Sequence, residues 1–415
     1  MKTKHIFSIL LFITFGINPC FAQFDMEGFL ATSGGDLSLN PTQAKLDFLK
    51  ENNFTGPWIS RVEFRTRSNN ADFSQEDFRL RFTPANPGEL KANKRYYSKQ
   101  VDLLNLEYQE EFNNALMQRY MIMIDHLFEY EKISILETQL GINRRLIEMM
   151  NSGTAVYSMD LGDLIDSESN ELDLNLSIEN SRINLDEIEY LIRDVYEFEG
   201  KIDWKDQEVI EVQDILNLFA EFKDHPSDQH IYLTKIDQRN MLAAERFNIE
   251  KSESLRNIGY FQAEYDTDRG NEPSDHFGYQ IGIRIPIVNP DKPDLNRRKL
   301  ALMDDEAILE EKKDDHQREM ELTVLRMDHF TRQYEEINIK LTSMSNQNFF
   351  SLQSPDKSIK ISDLIKMNEF YIDLLVKKNQ VQKRIFESYL EYLDLNGKLS
   401  ETPLRNYLSK DLTEY

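Results

Sequence analysis

The chain has 415 residues, a formal net charge of −24, 29% charged residues and a single cysteine. Such acidity excludes a nucleic-acid partner, because binding a phosphate backbone needs a basic surface. Low Gly and Pro with abundant Leu, Ile, Glu, Asp and Lys lean towards long helices rather than a string of small domains.

Lys2 and Lys4 precede an apolar run, Ile6 to Phe15, and a small residue follows at Ala22. A basic start, a short apolar core and a small residue at the cut form a signal peptide over residues 1–22. The run is too short to cross a bilayer as a helix, which takes ~20 apolar residues. Cys20 is the alternative, as a lipidated residue, although Asn18 and Pro19 replace the small residues such a site takes. Cleavage after Ala22 removes the only cysteine and with it any disulfide or thiol chemistry. No later stretch approaches ~18 consecutive apolar residues, so an exported chain of this kind is either soluble or a β-barrel.

A short helix over Pro41 to Asn52 leads into two segments of period-two alternation, about 58–67 and 77–83. In the first, Ser60, Val62, Phe64 and Thr66 alternate with Arg61, Glu63, Arg65 and Arg67; in the second, Phe78, Leu80 and Phe82 alternate with Arg79, Arg81 and Thr83. A helix from Leu90 to Met150 follows, on the order of 90 Å at ~1.5 Å per residue, with Leu104, Tyr108, Phe112 and Ala115 at helical spacing. Gly153 serves the turn, and a return helix runs from Leu161 to Tyr196. Within it Leu172, Leu174, Leu176 and Ile178 alternate like a strand, but their match to Ile372-Asp373-Leu374 assigns them to helix. Residues 197–226 form an acidic connector with a short helix near Ile215 to Phe222.

The plan then repeats over 227–399. A helix covers Ser227 to Arg256 and strands cover about 258–266 and 277–285. Gly259, Phe261, Ala263 and Tyr265 alternate with Tyr260, Gln262, Glu264 and Asp266. Phe277, Tyr279, Ile281, Ile283 and Ile285 alternate with Gly278, Gln280, Gly282 and Arg284. Helices from Leu295 to Leu341 and from Ile361 to Leu399 flank a long polar turn, and 400–415 reads as a loose tail. The duplication is explicit. Phe78 to Phe82 matches Ile281 to Ile285 and continues without a gap through Asn86-Pro87 and Asn289-Pro290; Asp163-Leu164-Ile165 matches Asp363-Leu364-Ile365 at nearly the same offset.

On pattern alone, an ordinary half-buried sheet fits the four strands as well as a membrane sheet. Export, strands of ~9–10 residues and marginal aromatics (Phe54, Trp58, Phe73, Phe277) favour lipid. An Arg facing lipid near mid-bilayer costs ~2–4 kcal/mol, so the charged face must line water. Its candidate pore residues are Arg61, Glu63, Arg65, Arg67, Arg79, Arg81, Gln262, Glu264, Gln280 and Arg284. Four strands cannot close a barrel and open edges do not survive in lipid, so the chain must oligomerise through its strands.

In these features the chain resembles the TolC-like outer-membrane efflux proteins. The residues that carry the resemblance are the strand-Pro-helix steps Arg81-Phe82-Thr83-Pro84 and Arg284-Ile285-Pro286-Ile287, the turn at Gly153, and the two runs at Asp163 and Asp363. The resemblance implies a mainly α fold with a small β part: two helix-strand-strand-helix-helix repeats, a homotrimer, and a twelve-stranded barrel in outer-membrane lipid continued by a long α-helical barrel in the periplasm. It further implies a passive exit duct with a periplasmic adaptor and an inner-membrane pump as partners, and no cofactor. Gly153, Tyr157, Asp160 and Asp163, with Ser354, Asp356 and Asp363, are its periplasmic-tip candidates; solvated turn residues are the plainer reading of each. Pro41 to Asn52 is shorter than the family's helix, the second tip lacks a Gly, and Gln347 to Lys357 resembles an insertion.

No enzyme motif is visible. His126, His276, His316 and His329 each follow an Asp, but neighbours in a helix do not face each other, and solvated helix faces account for them. The rival reading is a soluble periplasmic coiled-coil adaptor or structural protein without a pore.

Overall fold

A computed structural model describes residues 24–52, 56–68, 76–151, 161–196, 208–224, 230–254, 258–266, 276–283, 292–346 and 361–415, with single positions at 200, 202 and 272. The expected signal peptide lies outside them. The helices are α1 (Met26–Ala31), α2 (Asn40–Glu51), α3 (Pro87–Asn151), α4 (Leu161–Val195), α5 (Val212–Asp224), α6 (Ile231–Ser254), α7 (Lys292–Asn346) and α8 (Ile361–Leu395). The strands are β1 (Ile59–Ser68), β2 (Glu76–Pro84), β3 (Ile258–Asp266) and β4 (Phe277–Ile283). The ambiguous stretch Leu172 to Ile178 is helical, inside α4.

The start of α3 follows from its first three residues. The Asn86 side chain accepts from the Gly88 N–H at 3.0 Å, and Pro87 fills the first helical position, where no N–H is needed. Asn86 also donates to the Ser252 carbonyl, which ties this start to the end of α6.

The four strands form one antiparallel sheet in the order β1-β2-β3-β4. The helices continue that order. Thr42 of α2 bonds Glu111 of α3, and on the other side of α3 run Arg95–Glu245, Arg239–Glu107 and Lys235–Glu110 to α6; α6 in turn packs on α7. Next to the sheet the wall is therefore α2-α3-α6-α7. Farther from the sheet α4 and α8 replace α2 and α6. Asn143 donates to the Ser167 carbonyl at 2.8 Å and Arg144 pairs with Glu171 at 2.7 Å, joining α3 to α4. Lys383–Asp125 joins α8 to α3, and Arg326–Glu391 joins α7 to α8. Here the order is α4-α3-α8-α7, with α3 and α7 running the full length.

The core is a belt on one side of this wall, midway along α3. Leu116, Tyr120, Met123 and Ile124 of α3 pack with Ile385, Phe386, Tyr389 and Leu393 of α8, under Phe24, Phe29 and Leu30, Ile210 and Ile215 of the connector, and Tyr407 and Leu408.

Two sequence expectations are corrected here. The last helix stops at Leu395, before Leu399, because Gly397 takes the left-handed conformation (φ 67°). Lys398 N–H then reaches the Leu393 carbonyl and Gly397 N–H the Asp394 carbonyl, which closes the helix end. The segment beyond is not loose. Leu399, Tyr407 and Leu408 are buried, and Ile210 N–H donates to the Leu408 carbonyl at 2.9 Å.

The histidines also differ from expectation. His329 is exposed on α7, His276 sits just before β4 with Nδ1 2.9 Å from the Asp266 carbonyl oxygen, and His316 is half-buried with its ring 4.6 Å from that of His230. His126 is buried at 1% exposure on α3, beside Glu189 of α4. Burial lowers its pKa from 6.5 to about 4; Glu189, 3.6 Å away, does not offset this because Arg193 already holds that carboxylate at 2.6 Å. A buried neutral histidine stabilises fully above pH 6.5. As pH falls from 6.5 towards 4 the unfolded chain takes up the proton first, and at most about 3 kcal/mol is lost over that window. Thermal unfolding of His126→Gln should therefore be flatter between pH 6.5 and 4 than that of the parent chain. Asp394 and Glu131, raised by burial, act with the opposite sign but are common to both proteins.

Candidate functional site

The sheet is the candidate site, and its register makes the two faces chemically opposite. Across the middle, Phe64, Leu80, Ala263 and Tyr279 lie side by side; Val62, Phe82, Phe261 and Ile281 form the row on one side, and Thr66, Phe78, Tyr265 and Phe277 the row on the other. Every one of these points to the same face, since side chains alternate with period two. Among the described residues no element covers it. Phe64 is 65% exposed, Ile283 70% and Tyr279 89%. Trp58, 87% exposed, stands at the rim with Phe277; Phe54 and Phe73 lie outside the described residues.

The other face carries Glu63, Arg81, Gln262 and Gln280 in one row, Arg65, Arg79, Glu264 and Gly278 in the next, and Arg67, Asp77 and Asp266 beyond. Arg61 lies on the same face opposite Thr83. All the sequence-predicted pore residues except Arg284, which lies outside the described residues, are thus brought together on one surface. Glu63 holds Arg61 at 2.8 Å and Arg65 at 2.7 Å. Arg81 donates to Gln262 at 3.0 Å and lies over the Tyr260 ring at 4.0 Å. Tyr260 in turn lies across Gly282. A Cβ at Gly282 would come within 2.4 Å of that ring, so only glycine fits. Asp77, Asp266 and this Arg-Tyr-Gly stack belong to the face but were not singled out from sequence; strand alternation was the available signal for the two aspartates.

The tip candidates fare differently. Asp163 is in the first turn of α4, half-buried, and Asp363 is in the first turn of α8. Gly153, Tyr157, Asp160, Ser354 and Asp356 lie outside the described residues, as does the whole of the apparent insertion, Gln347 to Lys357. Among the described residues no three His, Cys, Asp or Glu side chains are grouped to hold a metal ion, and no helix is long and apolar enough to cross a membrane.

The arrangement of the four strands and the long helices is shared with solved structures. CusC, studied for transmembrane channel formation, superposes with a TM-score of 0.66 at 11% identity, covering 91% of this chain and 92% of that one. The MtrE outer membrane channel of Neisseria gonorrhoeae gives 0.66 at 8% identity, covering 94% and 90%. The fold is that of the TolC-like outer-membrane channels. VceC, an outer membrane protein of Vibrio cholerae, extends the likeness: 10% identity, 90% of this chain, 96% of that one and a TM-score of 0.60. No protein-family model and no curated protein sequence matches the chain. The likeness is thus one of fold, with little residue identity.

Proposed function

We propose that this chain is the outer-membrane exit duct of a tripartite export system: a passive homotrimeric channel, held in outer-membrane lipid by its strands, with its helices in the periplasm. A periplasmic adaptor and an inner-membrane pump are its partners, and no cofactor takes part. One observation carries this reading. Among the described residues, a single chain presents an uncovered apolar sheet face together with two outer strands, β1 and β4, that have no strand neighbour on one side. Water does not tolerate the first and lipid does not tolerate the second, and a closed ring of copies in a bilayer satisfies both.

The topology suits such a ring. Because β1 and β4 are the outer members of an even, antiparallel set, β4 of one copy can pair antiparallel with β1 of the next without reversing it. That is a head-to-tail contact that closes by rotation. The helices offer a matching pair of faces. On α4, Leu174 and Ile178 face α3, while Ile165, Leu172, Leu176, Ile183 and Tyr190 form an exposed stripe on the opposite side. Leu322, Leu325 and Ile339 form an exposed stripe on α7, the outer helix at the other end of the wall. The α7 stripe of one copy against the α4 stripe of the next closes the helical wall below the same strand junction.

Single-channel recording in planar bilayers tests the duct: the purified protein should give discrete current steps. Recovery in the soluble periplasm instead of the membrane fraction would favour the coiled-coil rival. Leu176→Glu should weaken assembly by roughly 1.5–3 kcal/mol per copy, the burial energy of one large apolar side chain. Light scattering in detergent should then report single copies with unchanged helix content.

A further inference from the structure

The charged face holds a feature that ion pairing does not explain. Arg65 and Arg79 are directly opposite each other on β1 and β2, and like charges in that position destabilise a sheet. Arg67, two residues from Arg65, projects from the same face. The compensation around this trio is uneven. Glu63 is shared between Arg61 and Arg65. Arg79 stands 3.9 Å from both Asp77 and Glu264, and its buried Nε makes no hydrogen bond among the described residues. By contrast the Nε of Arg81, one row away, donates to Gln262 and its guanidinium lies over the Tyr260 ring. On this face the described strands carry five arginines (61, 65, 67, 79, 81) against four carboxylates (63, 77, 264, 266), in a chain whose net charge is −24.

The junction between copies enlarges the space beside the trio. In a closed barrel the charged face is continuous, so the β1 arginines of one copy lie next to the same-face residues of β4 from the preceding copy, whatever the register. Among the described residues of β4 these are Gly278, Gln280 and Gly282, which bring no charge to the junction.

We propose that Arg65, Arg67 and Arg79 form an anion site on the lumen wall, one per copy, that takes phosphate-type oxyanions of the diphosphate class. The Cα atoms of residues two apart along a strand stand ~7 Å apart and those of opposite residues ~5 Å, a backbone spacing from which three long arginine side chains can converge on the two groups of a diphosphate. The planar fork of each arginine matches a phosphate oxygen pair. The site rests on the duct reading, since it needs this face to line water.

Inorganic pyrophosphate is the probe, added to the trimer during single-channel recording. The expected result is concentration-dependent block that weakens about ten-fold in Arg65→Gln and in Arg79→Gln. Arg81→Gln, which removes the same charge from the same lumen, should shift it by less than about two-fold. Equal weakening in all three variants, or current steps that pyrophosphate never blocks, overturns the site while leaving the duct intact. Absence of current steps defeats the duct reading, and titration calorimetry of pyrophosphate into the purified parent protein and Arg79→Gln then decides the site by itself: equal heats in both overturn it. Arg79→Lys guards against misfolding, because it retains charge and should bind more tightly than Arg79→Gln.

Discussion

Leu80→Arg is expected to abolish membrane insertion, whereas Arg81→Leu, one residue further along the same strand, should leave insertion intact. Leu80 lies in the middle row of the apolar face, between Phe64 and Ala263. An arginine there would face hydrocarbon near the bilayer centre at a cost of ~2–4 kcal/mol per chain, roughly tripled in a ring of three copies. Arg81→Leu acts on the opposite face. It removes the bond to Gln262 and the stack on Tyr260 but puts no charge into lipid. Extraction of the membrane fraction with alkali reports both outcomes. If both variants are retained in the membrane fraction, the assignment of faces to lipid and lumen is wrong. A soluble sheet gives a different pattern again, because both proteins would remain in the supernatant.

The contrast between adjacent residues also shows how much the sequence made legible. Period-two alternation identified all four strands and sorted Arg61 to Arg81 onto one face, because a β-strand leaves the facing no freedom once one side is apolar. Length and apolar spacing gave α3, α4 and α7, and the repeat settled Leu172 to Ile178 as helix where local alternation pointed to strand. What stayed hidden depended on contacts distant in sequence. That β2 pairs with β3, joining the two halves into one sheet, leaves no mark on either strand. His126 is buried beside Glu189 of α4, some sixty residues along the chain, and an isolated polar residue in a long helix carries no sign of which face will be covered. The Arg65–Arg79 opposition likewise required the register, since each arginine alone fits its own strand. The last residues read as loose because they hold no helical or strand period, although packing needs none.

Those last residues support the second large effect. Deleting residues 400–415 should unfold the belt and with it the join between α3 and α8. Tyr407 and Leu408 are buried among Tyr120, Tyr389 and Phe222 or their neighbours in the core, and truncating one such side chain to alanine typically costs 2–5 kcal/mol. The deletion also strips polar partners from groups that stay behind. Tyr120 donates to the Arg405 carbonyl at 2.7 Å and accepts from the Tyr407 N–H at 3.1 Å; its hydroxyl would be left buried and unsatisfied, at about 1–3 kcal/mol more. Glu27 loses the Asn406 side-chain amide at 2.9 Å, and the connector loses Ile210 N–H to Leu408 and Lys410 N–H to Glu208. Together these approach the whole stability of an ordinary domain, ~5–15 kcal/mol. Tyr407→Ala is the graded version and should lower the unfolding temperature without abolishing the fold. Limited proteolysis reads both variants: the connector at 208–211 should be cut readily in the deletion, slowly in Tyr407→Ala and least in the parent chain. Equal resistance in all three would mean that the tail merely rests on a belt that α1, α5 and α8 hold closed without it.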